Sequence, residues 1–427
     1  MLPDYKKRNV RKHKKNIKNE VSDDIVMKPK RRSDEKQKIT EHNNTAPKRK
    51  NINLIRGNKL KIRKKKMFLG AACIFLALLI ALLSFITPTG IIETVLNLSS
   101  AVKFGNSYPV KLSGGMLLNA VTQGNHSFLV STTNFECYNN NGKNIFSYQH
   151  GYQSPLISVS DARTLLYDQS GKNYSIYNLN RELYKSVTEN KILCADITRN
   201  GYYAIATLSD SYSSQISVFN SKNDKIYEWY CSDYIINSVV LSPNGKTLAI
   251  SAISANGGSF VSKVYVIQYE TATPKATFDY NGLVLTLKKS GTKGFTCVLE
   301  NTVDFFTWRK YKIGEFTTEN NVLISKQYKS NTLLVTGRTA NKNENTISVF
   351  DALGKQKYSF NFNNIIDAIE FKGSHIYILS ENNIHHYSLS GEFISKTSTN
   401  FGTNFIVPIS QKEIAAFTDS AIEKLTF

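Results

Sequence analysis

Five histidines lie beyond residue 100: His126, His150, His375, His385 and His386. A metal centre needs ligands at short, fixed spacings such as HxH, HExxH or a two-histidine, one-carboxylate set. None of these spacings occurs here. His385 and His386 are neighbours, and neighbours on a strand point to opposite faces of a sheet. Structural roles are expected for all five, and no metal site.

Other chemistries meet the same difficulty. A nucleophilic serine would be announced by a GxSxG elbow and a phosphate site by GxGxxG or a Walker loop, and the chain carries none of them. Gly114-Gly115 and Gly257-Gly258 read as turn glycines, because no helix start follows that could aim its dipole at a phosphate. Asp161, Asp196, Asp210 and Asp367 fall near predicted strand ends, where a central funnel could gather them. Glycoside chemistry needs two such carboxylates about 5–9 Å apart; turn capping is the commoner use of Asp in these loops. Cys137, Cys194, Cys231 and Cys297 stand at long, irregular intervals inside apolar runs. They read as core residues, with disulfides open to an exported domain. The 23 Tyr and 23 Phe fall mostly inside strand-like runs, where they fit sheet packing. No catalytic residue and no cofactor is expected.

The charge is uneven. Of 54 Lys+Arg and 33 Asp+Glu, residues 1–66 hold 24 and 7, which leaves 30 and 26 for the rest. The basic character of the chain therefore belongs to its N-terminal tail, and a nucleic-acid-binding fold is not expected. The tail is rich in Lys, Arg and Asn and poor in aromatics, a composition that cannot bury enough surface to fold. From Met67 to Ile86 the sequence reads MFLGAACIFLALLIALLSFI without a charge. Twenty such residues span about 30 Å as a helix, the thickness of a bilayer core. Lys59, Lys61, Arg63, Lys64, Lys65 and Lys66 crowd one flank. The positive-inside rule then puts the tail in the cytoplasm and everything after the span outside it. The expected organisation is a disordered tail (1–66), a transmembrane helix (67–90), a linker (91–105) and a folded domain (106–427) in the cell envelope. Residues 51–66 mix Ile and Leu with basic residues, a stretch able to rest on anionic lipid.

The folded part is built of short apolar runs broken by Asn, Gly, Ser and Asp. One run recurs eight times, beginning at Ser127, Thr164, Tyr202, Thr247, Gly294, Thr332, Ser374 and Glu413. The mean interval of about 41 residues matches four-stranded propeller blades. Seven copies are followed by a strand, a polar turn and a strand, as in YSIYNLNRELY (174–184). The eighth unit stops at Phe427, one strand short, while Tyr108 to Leu112 is a spare strand at the start. Pairing the two closes a ring and hides a bare edge. An all-β fold is expected, an eight-bladed β-propeller with seven blades as the alternative count.

LSPNGKTLA (Leu241 to Ala249) resembles the S-P-D-G-K-x-L-A turn of bacterial WD-repeat-like propellers of the YVTN and TolB kinds, and VSDARTLLY (159–167) and ITRNGYYAIA (197–206) resemble weaker copies of it. In layout the chain is similar to membrane-anchored bacterial propeller proteins. The resemblance implies architecture, since propellers serve as binding modules and as enzymes alike. Two roles stay open. One is a non-enzymatic scaffold that holds a protein or polymer outside the membrane, and the other is an anchored enzyme acting on surface carbohydrate. A carboxylate pair in a deep funnel would favour the enzyme; a shallow funnel with an apolar rim would favour the scaffold.

Overall fold

The computed structural model describes residues 65–78 and 108–427, without 270, 272 and 310. The chain divides between Gly70 and Ala71 into two units. Residues 65–78 form a helix with every side chain exposed. Lys65 and Lys66 are its first residues, while Lys59, Lys61, Arg63 and Lys64 lie outside the described residues. Among the described residues, no helix is long and apolar enough to cross a membrane; the run to Ile86 continues beyond them.

Residues 108–427 form eight antiparallel sheets of four strands, which settles the count at eight rather than seven. The first seven sheets are consecutive in sequence, over 117–149, 155–187, 192–231, 235–280, 284–317, 321–362 and 368–398. Within each, the strands run A to D in chain order. The A strands of successive sheets touch around a ring, so A is innermost, and the A strand of the eighth sheet (Phe405–Pro408) touches that of the first (Leu117–Gln123). The arrangement is a closed eight-bladed β-propeller.

The eight recurring runs are the B strands. His126–Ser131 and Thr164–Asp168 are buried at every position, because a B strand is covered on both faces by neighbouring blades. The D strands are half wet: Phe393–Ser398 is mostly exposed and polar-alternating. Eight apolar clusters hold the disc, one in each interface between blades. Phe128, Phe135 and Phe146 of blade one meet Leu166 and Tyr177 of blade two, and Val298 and Phe305 of blade five meet Leu334 and Phe350 of blade six. In six blades strand C ends in a register shift at an aromatic residue: Tyr138, Tyr177, Phe219, Phe306, Phe350 and Tyr387. The shift swings a large ring into the interface.

The sharp SPNG turn shows why its residues are fixed. Ser242 Oγ accepts the amide of Thr247 at 2.9 Å, and Gly245 adopts φ +70°. A Cβ there would stand 2.6 Å from the ring of Tyr202, so only glycine lets the preceding A–B turn, that of blade three, pack so closely.

The ring closes as the sequence implied. Val110 pairs with Ile422 and Lys111 with Ala421, and the amide of Leu112 donates to the carbonyl of Ser420 at 2.9 Å. This spare strand is the D strand of blade eight. Val110 is buried there with Phe417, Ile422 and Leu129, which joins blade eight to blade one.

Candidate functional site: two unlike faces of the disc

The four aspartates do not converge. Asp161 sits in the A–B turn of blade two beside Gln123 and 3.7 Å from Arg199. Asp196 is buried on the A strand of blade three. Its carboxylate accepts from Ser158 Oγ of blade two and the amide of Leu241 of blade four, each at 2.7 Å, and from Lys289 Nζ of blade five at 2.8 Å. Asp210 and Asp367 are exposed in loops at the opposite ends of the blades, and Asp367 accepts the amide of Glu381 at 3.2 Å.

Around the channel, polar side chains tie the A strands of blades four to eight, each to the next. Asn237 Nδ2 donates to the carbonyl of Val284 at 2.7 Å, Lys288 to the carbonyl of Ser325, Lys326 to Glu370, and Lys372 to the carbonyls of Pro408 (3.0 Å) and Ile409 (2.8 Å). Burial, with the Lys326 ammonium beside it, pushes Lys288 down to about 8. These groups are engaged by the backbone and by one another, which is a clasp geometry rather than a pair of carboxylates facing a substrate.

The histidines have structural partners. His150 Nε2 lies 3.0 Å from the carbonyl of Ser131, and its Nδ1 accepts the amide of Tyr152 at 2.9 Å. His386 is buried against Tyr377, with centroids 4.7 Å apart, and its Nε2 lies 2.8 Å from His375 Nδ1. His385, on the other face as expected, meets the edge of Phe362. The His375–His386 pair was not visible in sequence: the two are eleven positions apart and meet only across a B–C hairpin. Among the described residues no three His, Cys, Asp or Glu side chains are placed to hold a metal. The four domain cysteines are buried and free.

What distinguishes the disc is the difference between its faces. In an up-and-down blade the B–C and D–A connections share one face and the A–B and C–D connections the other. On the B–C face the connections hold eight acidic residues and two basic ones. All eight acids, Asp210, Asp233 and Glu319 among them, are exposed. On the A–B face the described connections hold twelve basic residues and four acidic ones, and all twelve but Arg163 are exposed. Exposed apolar side chains are segregated as well. Of fifteen on the propeller, ten lie on or beside the B–C face, including Tyr212, Tyr230, Ile235, Phe260, Ile365 and Phe401, the last 91% exposed. Four lie on the A–B face, and Tyr358 is on the outer rim. The long hairpin of blade four (Thr247–Asn256 and Ser259–Gln268) lifts Phe260, and Tyr212 packs against Tyr230 at a tilt, with ring centroids 4.9 Å apart. The depression between Glu319–Asn321 and Arg338–Ala340 on this face encloses about 260 Å³, below the usual range of small-molecule sites.

These features define a closed propeller with one acidic, apolar-studded face and one basic face. The chain belongs to the family described as "Family of unknown function (DUF5711)", whose pattern matches residues 110–427. No curated protein sequence matches. Among solved structures, the C-terminal WD40 domain of Sif2 is similar at a TM-score of 0.52 and 8% identity, over 74% of this chain and 98% of that one. BamB from Moraxella catarrhalis is similar at 0.49 and 11% identity, over 76% and 99%. At such identities the Sif2 likeness carries the fold alone.

Proposed function

We propose that the protein is a non-enzymatic binding module of the cell envelope, held by one transmembrane segment with its N-terminus in the cytoplasm, whose B–C face docks a cationic protein surface. The observation that carries this reading is the gathering of ten exposed apolar side chains among eight exposed carboxylates on one face. Aromatic and aliphatic anchors inside a charged surround are how a protein interface combines affinity with orientation. The acidic charge selects a basic partner. The anchor rests on the uncharged run from Met67 to Ile86 and the basic cluster before it.

The test uses the full chain in its own cells. A photo-activatable residue in place of Phe260 or Phe401 should crosslink a protein with a basic surface, and one in place of Leu353, exposed on the A–B face, should not. Crosslinks from Leu353 alone, or to polysaccharide, overturn the docking face. Protease added outside intact cells should digest the chain beyond about Gly90 and spare the tail. Cleavage of the tail with a protected C-terminus overturns the topology.

A further inference from the structure

The basic face has a geometry of its own. Lys143, Lys222, Lys246, Lys293 and Lys412 belong to turns of five different blades, are exposed, and form no ion pair among the described residues. Of the acids in or beside the turns of this face, Asp161 lies 3.7 Å from Arg199, Asp351 is held by Lys357 at 3.1 Å and Glu413 by Lys424 at 2.9 Å; Asp224 accepts from Asn220 Nδ2, and neither it nor Glu392 pairs with a described cation. The free ammonium groups are therefore spread around a ring of turn tips and do not converge on a pocket. Such an array matches an extended plane of negative charge better than a small anion, which would need several donors around one point.

The chain also enters the disc on this side. The clasp strand runs from the A–B face towards the B–C face, since Lys111 pairs with Ala421 and Val110 with Ile422. Tyr108 lies against the C–D turn of blade one, where a Cβ on Gly142 would stand 3.1 Å from its ring, and Lys424 Nζ is 5.8 Å from the ring centroid. The sequence stays without charge as far as Ile92, so residues 93–107 separate Tyr108 from the uncharged stretch. Fifteen residues reach at most about 50 Å, so a chain anchored by that run keeps its disc close to the bilayer.

We infer that the A–B face is seated on the anionic surface of the bilayer in which the chain is anchored. The inference rests on the anchoring proposed above. The acidic B–C face is repelled by the same surface, so attraction and repulsion turn the disc the same way, and the ten exposed apolar side chains point away from the lipid. Counter-charge attraction of this kind fades within about 10 Å at moderate salt, which makes the seating reversible by ionic strength.

The experiment reconstitutes the full chain, carrying Cys73→Ser, in vesicles of phosphatidylcholine alone or with phosphatidylglycerol. A fluorophore is attached at Thr292→Cys on the A–B face or at Ser232→Cys on the B–C face, both exposed positions. With nitroxide-headgroup lipid as quencher, the Thr292 probe should be quenched several-fold more than the Ser232 probe in anionic vesicles. Excess salt, or Lys246→Glu with Lys293→Glu and Lys412→Glu, should abolish the difference. Equal quenching of the two probes, or stronger quenching at Ser232, in chains that still float with the vesicles overturns the seating. Flotation after an alkaline wash reports the anchor separately. A chain that floats only with anionic vesicles, and is released by salt, supports the face without the anchor; one that floats with neither overturns both. Binding to soluble nucleic acid that outcompetes anionic vesicles would replace lipid as the partner.

Discussion

Lys289 of blade five reaches past blade four to Asp196 of blade three, Nζ to Oδ1 at 2.8 Å, and donates to the carbonyl of Ile197 at the same distance. The Asp196 side chain thus ties four blades, because it also accepts the amide of Leu241 in blade four and the hydroxyl of Ser158 in blade two. Lys289→Met leaves a buried carboxylate without its counter-charge, and loss of one partner of such a pair costs about 3 kcal/mol. Urea unfolding should show this loss, whereas Lys246→Met, at an exposed turn, should stay within about 0.5 kcal/mol of the parent.

The clasp strand gives a second expectation. A chain beginning at Gly114 loses Val110 from its buried cluster and bares the edge of Ala421–Thr426. It should melt at a lower temperature and associate, as read by light scattering. Removal of Thr271 and Thr273, in an exposed C–D turn, should do far less. A monomeric truncated chain of unchanged stability would contradict the closure.

Acid should weaken the fold. Burial pushes His126 down to about 4, and burial with His375 alongside does the same to His386. Both folded values lie below the ordinary 6.5, so the unfolded chain takes up protons first as the pH falls. The contribution is complete above pH 6.5 and is lost progressively towards pH 4. Urea midpoints should therefore fall between pH 7 and pH 5, and the fall should be shallower in a chain carrying His126→Gln and His386→Gln.

Cys137, Cys194, Cys231 and Cys297 are buried, and burial raises all four thiols. A thiol reagent needs the thiolate. These four should be silent in the native protein and react together in urea. Early reaction of any of the four would place it on a mobile blade.

Aromatic residues on the two sides of the burial divide should behave oppositely. Phe306 is buried and stacked on Phe295 at 4.7 Å, and Phe306→Ala should cost about 3–5 kcal/mol. Phe401→Ser, at an exposed loop, should leave unfolding unchanged and weaken only partner crosslinking.

The B strands were readable in sequence because full burial makes them continuous apolar runs, such as TLLYD from Thr164. The C–D hairpins were readable from their polar turns. The A strands were not marked out, and register shifts explain this. Five of them break step near their start, as between Leu117 and Asn119 or Ile236 and Ser238, which spoils the two-residue alternation by which a strand is recognised. The candidate faces were hidden by averaging. An excess of only four basic residues beyond the tail looks neutral until alternate turns are assigned to opposite sides of a closed disc. The channel clasps were hidden because Lys289 and Asp196 are 93 positions apart.

The closing pair also has a consequence in time. Val110 is among the first residues of the domain to be synthesised and Ile422 among the last, 312 positions later. Holding an early strand for a late one costs little in loop entropy, which grows only with the logarithm of length, but it forbids early completion. Seven blades can stack as they emerge, while the flank that will receive Phe417 and Ile422 stays open to water until the end. A domain that lacks Ala421–Thr426 is therefore not a slightly frayed one. It is an arc whose two apolar ends face each other across a gap, and the domain's last strand decides the fate of all those before it.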